Sequence, residues 1–253
     1  MGKTKSSWED VNKWYHTQVG EEGHYYHKNV ILPAILPYFS GEGELSLLDL
    51  GCGQGILARA LPPNFHYVGI DAAPSLIQAA KSLNKKLKAQ FIAADATKKL
   101  PISKTDFSHA AIILALQNME HQDKAISNAA SHLRPGGKLL IVLNHPCYRI
   151  PRQSSWGVDE QKKMQFRRVE KYMSAIKIPI QMHPGKKEKS EETWSFHHPL
   201  SAYSLWLKQA GMVIEEIQEL CSDKESTGKA AKMENRSREE IPLFLVLCAS
   251  KLK

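Results

Sequence analysis

The stretch Leu47-Leu-Asp-Leu-Gly-Cys-Gly-Gln-Gly55 decides the fold. An apolar run ends in glycines at alternate positions, 51, 53 and 55, and a helical pattern opens at Ile56 and Leu57. That order predicts a buried strand, a tight turn in which a ligand approaches the backbone amides closely, and then a helix. The spacing disfavours a pyrophosphate grip, because Ile56 stands where Gly-x-Gly-x-x-Gly requires its third glycine. Asp49, just before the turn, repels phosphate and suits a cationic group.

Short apolar runs alternate with amphipathic segments on either side of this stretch. The expected strands are β1 at 45–50, β2 at 66–70, β3 at 91–94, β4 at 109–114 and β5 at 138–143, with helices over 54–61, 74–86 and 121–133 between them. Arg134-Pro-Gly-Gly137 is expected to stop the third of these helices and turn the chain into β5. Alternation at this spacing implies βαβ units around a parallel sheet. Beyond β5, residues 145–198 break the rhythm and read as an insertion. A helix at 201–210, a strand at 213–220, a charged stretch at 222–240 and a last strand at 243–249 follow. Upstream, Ser7 can cap a helix running to about Val19, and residues 24–39 have helical spacing broken by Pro33 and Pro37. Both pieces read as a helical cover, residues 1–40, on a domain of residues 41–253 in which 145–198 form an inserted substrate lid.

Two more carboxylates close strands. Asp71 ends Val68-Gly-Ile-Asp71 about twenty positions past the glycine turn, where a carboxylate accepts hydrogen bonds from ribose hydroxyls. Asp95 ends Phe91-Ile-Ala-Ala-Asp95-Ala96, where an adenine amino group would lie, although a turn or cap is the plainer use of such an Asp. With these residues the chain resembles the class I S-adenosylmethionine (SAM)-dependent methyltransferases over about Leu45 to Leu143. The resemblance implies an α/β, Rossmann-like seven-stranded sheet in order 3-2-1-4-5-7-6, its last strand antiparallel, with helices on both faces. It also implies that SAM is the cofactor and S-adenosylhomocysteine its product. Asp49 with Gly51, Gly53 and Gly55 would hold the methionine end, Asp71 the ribose, and Asp95 and Ala96 the adenine, with Cys52 and Ala72 also among the cofactor contacts and Leu114 and Gln117 lining the other side.

Outside that core the chain is similar to a small-molecule, ubiquinone- and menaquinone-methyltransferase-like branch. It shares an early Trp14-Tyr15 that would close over the cofactor, Asn144-His145-Pro146 after β5, and Phe196-His197 before a late helix. His16 departs from the acidic residue usual after that Tyr. Methyl transfer from a sulfonium mainly requires alignment and dryness, so a base is optional. His145 is the candidate base or orienting group, and a simple turn is the plainer reading of its tripeptide. Tyr26, His27, His145, Trp156 and His197 are candidate acceptor contacts, though each side chain could serve packing alone. Asn144-His-Pro-Cys147 lacks the tetrad of base-amino methyltransferases.

The formal charge is +8, and residues 149–198 hold eleven basic against six acidic residues, so +5 of it lies there. That excess keeps an RNA or protein acceptor as the alternative to a small molecule, and a SAM-binding protein without transfer activity as a third reading. The mixed signs favour the small molecule, and with it a lid. The four cysteines, at 52, 147, 221 and 248, have no zinc spacing, and no metal is expected. No apolar run approaches the ~20 residues of a membrane helix, and no signal core precedes the domain, so the expectation is a cytoplasmic protein.

Overall fold

In the computed structural model, residues 23–181 and 192–253 are described; the expected helix to Val19, with Tyr15, lies outside them. The strands are β1 Leu45–Leu50, β2 Phe65–Asp71, β3 Ala89–Ala93, β4 Phe107–Ile113, β5 Leu133–Asn144, β6 Ser154–Asp159, β7 Met164–Val169, β8 Ile176–Gln181, β9 Glu192–His197, β10 Met212–Leu220 and β11 Phe244–Lys251. The helices are α1 Leu32–Ile35, α2 Ile56–Ala60, α3 Pro74–Leu83, α4 Gln122–Ser131, α5 Leu200–Gln209 and α6 Ala231–Glu240.

Seven strands form one sheet in the order β3-β2-β1-β4-β5-β11-β10. β1 to β5 pair in parallel, and β11 runs antiparallel to both β5 and β10, which is the expected topology. The two central strands, β1 and β4, are covered on both faces, and this is why their residues read as nearly unbroken apolar runs. On one face α4 and α5 pack on Leu48, Leu50, Ile112 and Leu139. On the other, α2, α3 and the N-terminal segment pack on Leu45, Leu47, Tyr67 and Val142.

That N-terminal segment is three short pieces: a π-helical turn His27–Ile31, α1, and a 3₁₀ turn Leu36–Tyr38. Pro33 and Pro37 each sit in the first turn of a piece, because a proline has no N–H to extend the helix before it. Ile31, Ile35 and Phe39 are buried against the sheet.

Three local expectations are corrected. β5 already pairs at Leu133 with Phe107, and Arg134-Pro-Gly-Gly137 forms an irregularity before pairing resumes at His109 and Lys138. The Pro and glycines thus mark a bulge within the strand instead of its start. The weakly periodic insertion folds into two antiparallel hairpins, β6–β7 and β8–β9, a regularity masked because β6–β7 leaves its larger apolar side chains exposed and the buried positions of β9 include Thr193, Ser195 and His197. The charged stretch contains α6, which packs beside β7 with Ser237 Oγ donating to Gln165 Oε1 at 2.6 Å; few of its side chains are apolar, so no stripe announces it.

Phe107 is fully buried where β4 begins. Phe107→Ala is expected to cost about 3–5 kcal/mol in urea unfolding. A loss under about 1 kcal/mol would contradict this packing.

Candidate functional site

The candidate site lies along the C-terminal ends of β1 to β5. At the end of β1 the amides of Gly51 and Cys52 both donate to the Ile70 carbonyl, at 2.7 and 3.1 Å, binding the turn to β2. Gly51, Gly53 and Gly55 all have left-handed φ, at 80°, 53° and 75°. A side chain at Gly51 would place its Cβ 2.3 Å from Ala115 Cβ, so the loop after β4 comes against the turn. The Asp71 carboxylate closes the corner: Gly53 N–H donates to Oδ2 at 3.0 Å and Ala73 N–H to Oδ1 at 2.9 Å.

Asp95 has the turn role that was its plainer reading, accepting from Thr97 N–H at 2.9 Å and Thr97 Oγ1 at 2.7 Å, with Ala96 buried beside it. Leu114 follows β4 at φ 52°, a left-handed backbone uncommon outside glycine. Its carbonyl accepts from Gln117 Nε2 at 2.9 Å, which leaves the buried Gln117 Oε1 without a partner among the described residues. Such strain beside a ligand edge is a recurring mark of function.

Asp49 is buried under the turn. Tyr67 donates its hydroxyl to Asp49 Oδ2 at 2.5 Å, and Oδ1 has no partner among the described residues. Burial pushes the carboxyl up to about 7, against the lowering effect of the Tyr67 bond, and Asp71 adds to the rise. A cationic group arriving here would supply the missing partner and favour the carboxylate.

Residues 47–137 match the methyltransferase-domain family. Over that stretch the chain is similar to methyltransferase domains. Over 120 residues it is 31% identical to a demethylmenaquinone methyltransferase of Leptospira interrogans, covering 45% of this chain and 47% of that protein. It is 32% identical over 122 residues to a ubiquinone biosynthesis O-methyltransferase of Coxiella burnetii, covering 45% and 50%. The chain spans about half the length of these two curated relatives, and a third of another. Its fold is similar to that of a SAM-dependent methyltransferase from Mesorhizobium loti, with TM-score 0.64, 23% identity, and coverage of 87% of this chain and 96% of that one. A second, from Clostridium acetobutylicum, has TM-score 0.63, 16% identity, and coverage of 96% and 100%.

The family implies SAM as cofactor, and the methyltransferase domain fits it on its own geometry. It offers a glycine turn free of side chains, a buried Asp49 oxygen that has no partner among the described residues and suits an ammonium, and a second carboxylate, Asp71, at the next strand end. Cys52 is buried with its thiol pushed up by burial, so it contributes shape rather than a thiolate. Ala72 is exposed at the rim.

On the acceptor side, His145 is buried and both ring nitrogens are engaged. Cys147 N–H donates to Nδ1 at 3.2 Å, so the ring proton sits on Nε2 and points at Glu219 Oε1, 2.7 Å away. Burial lowers the His145 pKa against the opposing pull of Glu219. His197 is likewise buried, 2.8 Å from the Tyr172 carbonyl through Nε2. The two histidines connect through Tyr172, which hydrogen-bonds Cys147 and whose hydroxyl accepts from Leu200 N–H. Hairpin β8–β9 packs on the turn Leu116–Asn118 after β4, and Gln122 Nε2 donates to the Phe196 carbonyl at 3.0 Å. Part of the insertion therefore covers this edge.

Trp156 is exposed on β6 under the Arg167 guanidinium, whose Nε donates to the Tyr148 carbonyl in the turn after β5. Tyr26 packs edge-on against Phe244 at 5.6 Å. Burial brings His27 down to about 4, and a Cβ on Gly23 would touch both His27 and Ile56, so the segment's start lies on the helix that follows the glycine turn. Glu219, 74 residues from His145, carried no sequence signal of this pairing.

Because Asp49 ionises near 7 in the fold against an ordinary 3.8, the folded state holds its proton more tightly, and stability falls as pH rises between those values. Asp49→Asn cannot ionise. Its melting temperature relative to wild type should therefore be higher at pH 8 than at pH 5, and an equal offset at both would contradict the buried, ligand-ready carboxyl.

Proposed function

We propose that this chain transfers a methyl group from SAM to a small-molecule acceptor at O, N or C. The observation that carries the reading is the alignment, along neighbouring strand ends, of the left-handed glycine turn, the half-partnered Asp49, Asp71, and the left-handed Leu114. The two relatives named for demethylmenaquinone and ubiquinone biosynthesis support a small acceptor rather than a macromolecule.

When bound, SAM would supply an electrophilic sulfonium methyl for an acceptor lone pair. The protein's share is to align and to exclude water. Asp49 holds a positive charge beneath the turn, Asp71 accepts from hydroxyls, and hairpin β8–β9 covers the edge. With both nitrogens engaged, His145 serves this reading as an orienting group that ties the end of β5 to Glu219 on β10.

Calorimetric titration tests the reading. S-adenosylhomocysteine should bind, and Asp71→Ala should weaken it by about 1.5–3 kcal/mol, the range for a hydrogen bond to a charged group. Tighter binding of NADH than of SAM would refute it. For His145→Gln, turnover should fall by less than about tenfold with an unchanged pH profile. A loss of about 10² or more, together with disappearance of a limb near the imidazole pKa, would instead make His145 the base.

A further inference from the structure

Arg149 ends a single turn of chain after β5, in which the amides of Tyr148 and Arg149 donate to the His145 carbonyl at 3.2 and 2.7 Å. The turn carries its half-buried guanidinium over Phe244, 5.3 Å from the ring centroid. Phe244 pairs with Asn144 at the end of β5, so the arginine stands at the ligand-binding edge. From Phe244 the aromatic contacts pass to Tyr26, and Lys224 Nζ lies 5.1 Å from the Tyr26 ring and 4.4 Å from the Tyr25 ring.

Two cations thus rest on one aromatic platform, and neither has an ion-pair partner among the described residues. The acids of this edge are committed elsewhere: Glu219 to His145 at 2.7 Å, and Asp223 to the Tyr25 hydroxyl at 2.9 Å. Arg167 is a contrast, with its guanidinium satisfied by the Tyr148 carbonyl and Ser154 Oγ and stacked on Trp156. The unmet charge is felt locally. Burial and then Arg167 lower the Arg149 pKa, and both Lys224 and Arg149 add to the lowering of His24 by burial. A guanidinium kept half-buried without an anion is a costly arrangement unless a ligand brings one.

We propose that Arg149, with Lys224 beside it, binds an anionic group, a carboxylate or a phosphate, carried by the methyl acceptor, whose apolar or aromatic body rests on Phe244 and Tyr26. This deepens the small-molecule reading and rests on it. Phe244 lies three strands from the β1 glycine turn, roughly 14 Å at ~4.8 Å per strand. A one-ring acceptor spans much of that width, so its anion would lie away from the atom that is methylated. The consequence is selectivity: neutral analogues of the acceptor are discriminated against by the unpaired cations.

The test uses the full chain saturated with S-adenosylhomocysteine and titrated with benzoate, phenyl phosphate, benzyl alcohol and inorganic phosphate. Benzoate or phenyl phosphate should bind at least tenfold more tightly than benzyl alcohol, and their order tells which anion the site prefers. Arg149→Gln should reduce that preference below threefold while leaving S-adenosylhomocysteine affinity intact. Lys224→Gln, on an exposed side chain that cannot compromise folding, should reduce it at least twofold. Equal binding of charged and neutral probes, or a preference that survives Arg149→Gln, would overturn the proposal. Inorganic phosphate binding as tightly as phenyl phosphate would also overturn it, in favour of a simple anion site. Were S-adenosylhomocysteine not to bind, the methyltransferase reading would fail separately, since the probe preference is measurable on the protein alone.

Discussion

Everything at the ligand edge depends on how closely the backbone at Gly51 approaches the loop after β4. A Cβ there would lie 2.3 Å from that of Ala115, so the contact exists only because residue 51 has no side chain. This approach brings the end of β1 against the end of β4, and the Ile70 carbonyl, accepting from both Gly51 and Cys52, fixes β2 to the same corner. Asp71 then locks the turn from the β2 side through Gly53. The cradle is thus made of main chain held by neighbouring strands, and side chains contribute charge at two points, Asp49 and Asp71.

The acceptor side is built on a different principle. Its groups come from far apart in the chain, from the segment around Tyr26, the turn after β5, the end of β10 and the loop holding Lys224, and they meet because β11 inserts antiparallel between β5 and β10. That insertion places Phe244 beside Asn144 and Glu219 within reach of His145. The match to the methyltransferase-domain family ends at Gly137, and Arg149, Glu219, Lys224 and Phe244 all lie beyond it. The imbalance of charge there, with cations on aromatic faces and acids bound to a histidine and a tyrosine, is a local property of this chain.

The sheet was legible because its cause is local. The nearly unbroken apolar runs of β1 and β4 follow from burial on both faces, and the alternate glycines at 51, 53 and 55 stand where the turn takes left-handed φ. Asp71 was legible for the same reason, standing at a strand end one βαβ unit after the glycines. The hairpins of the insertion were not: on β6–β7 the larger side chains Trp156, Val158, Met164 and Phe166 remain exposed, and on β9 the buried positions include the polar Thr193, Ser195 and His197, so neither ribbon shows a clean apolar alternation. Nor was α6, whose mostly charged side chains carry no apolar stripe and which packs beside β7. The engagement of both His145 nitrogens was invisible because one partner is a backbone amide set by the turn and the other a glutamate 74 residues away on β10.

The central claim is that main-chain amides of the glycine turn receive the cofactor. Backbone amide NMR of the protein titrated with S-adenosylhomocysteine tests it directly. The account predicts the largest shift changes at Gly51, Gly53 and Gly55, with smaller ones at Asp71, Ala72, Ala96 and Leu114. Changes centred instead on the basic groove between Lys98, Lys124 and His132 on the flank of the sheet, or no change at millimolar ligand, would contradict it.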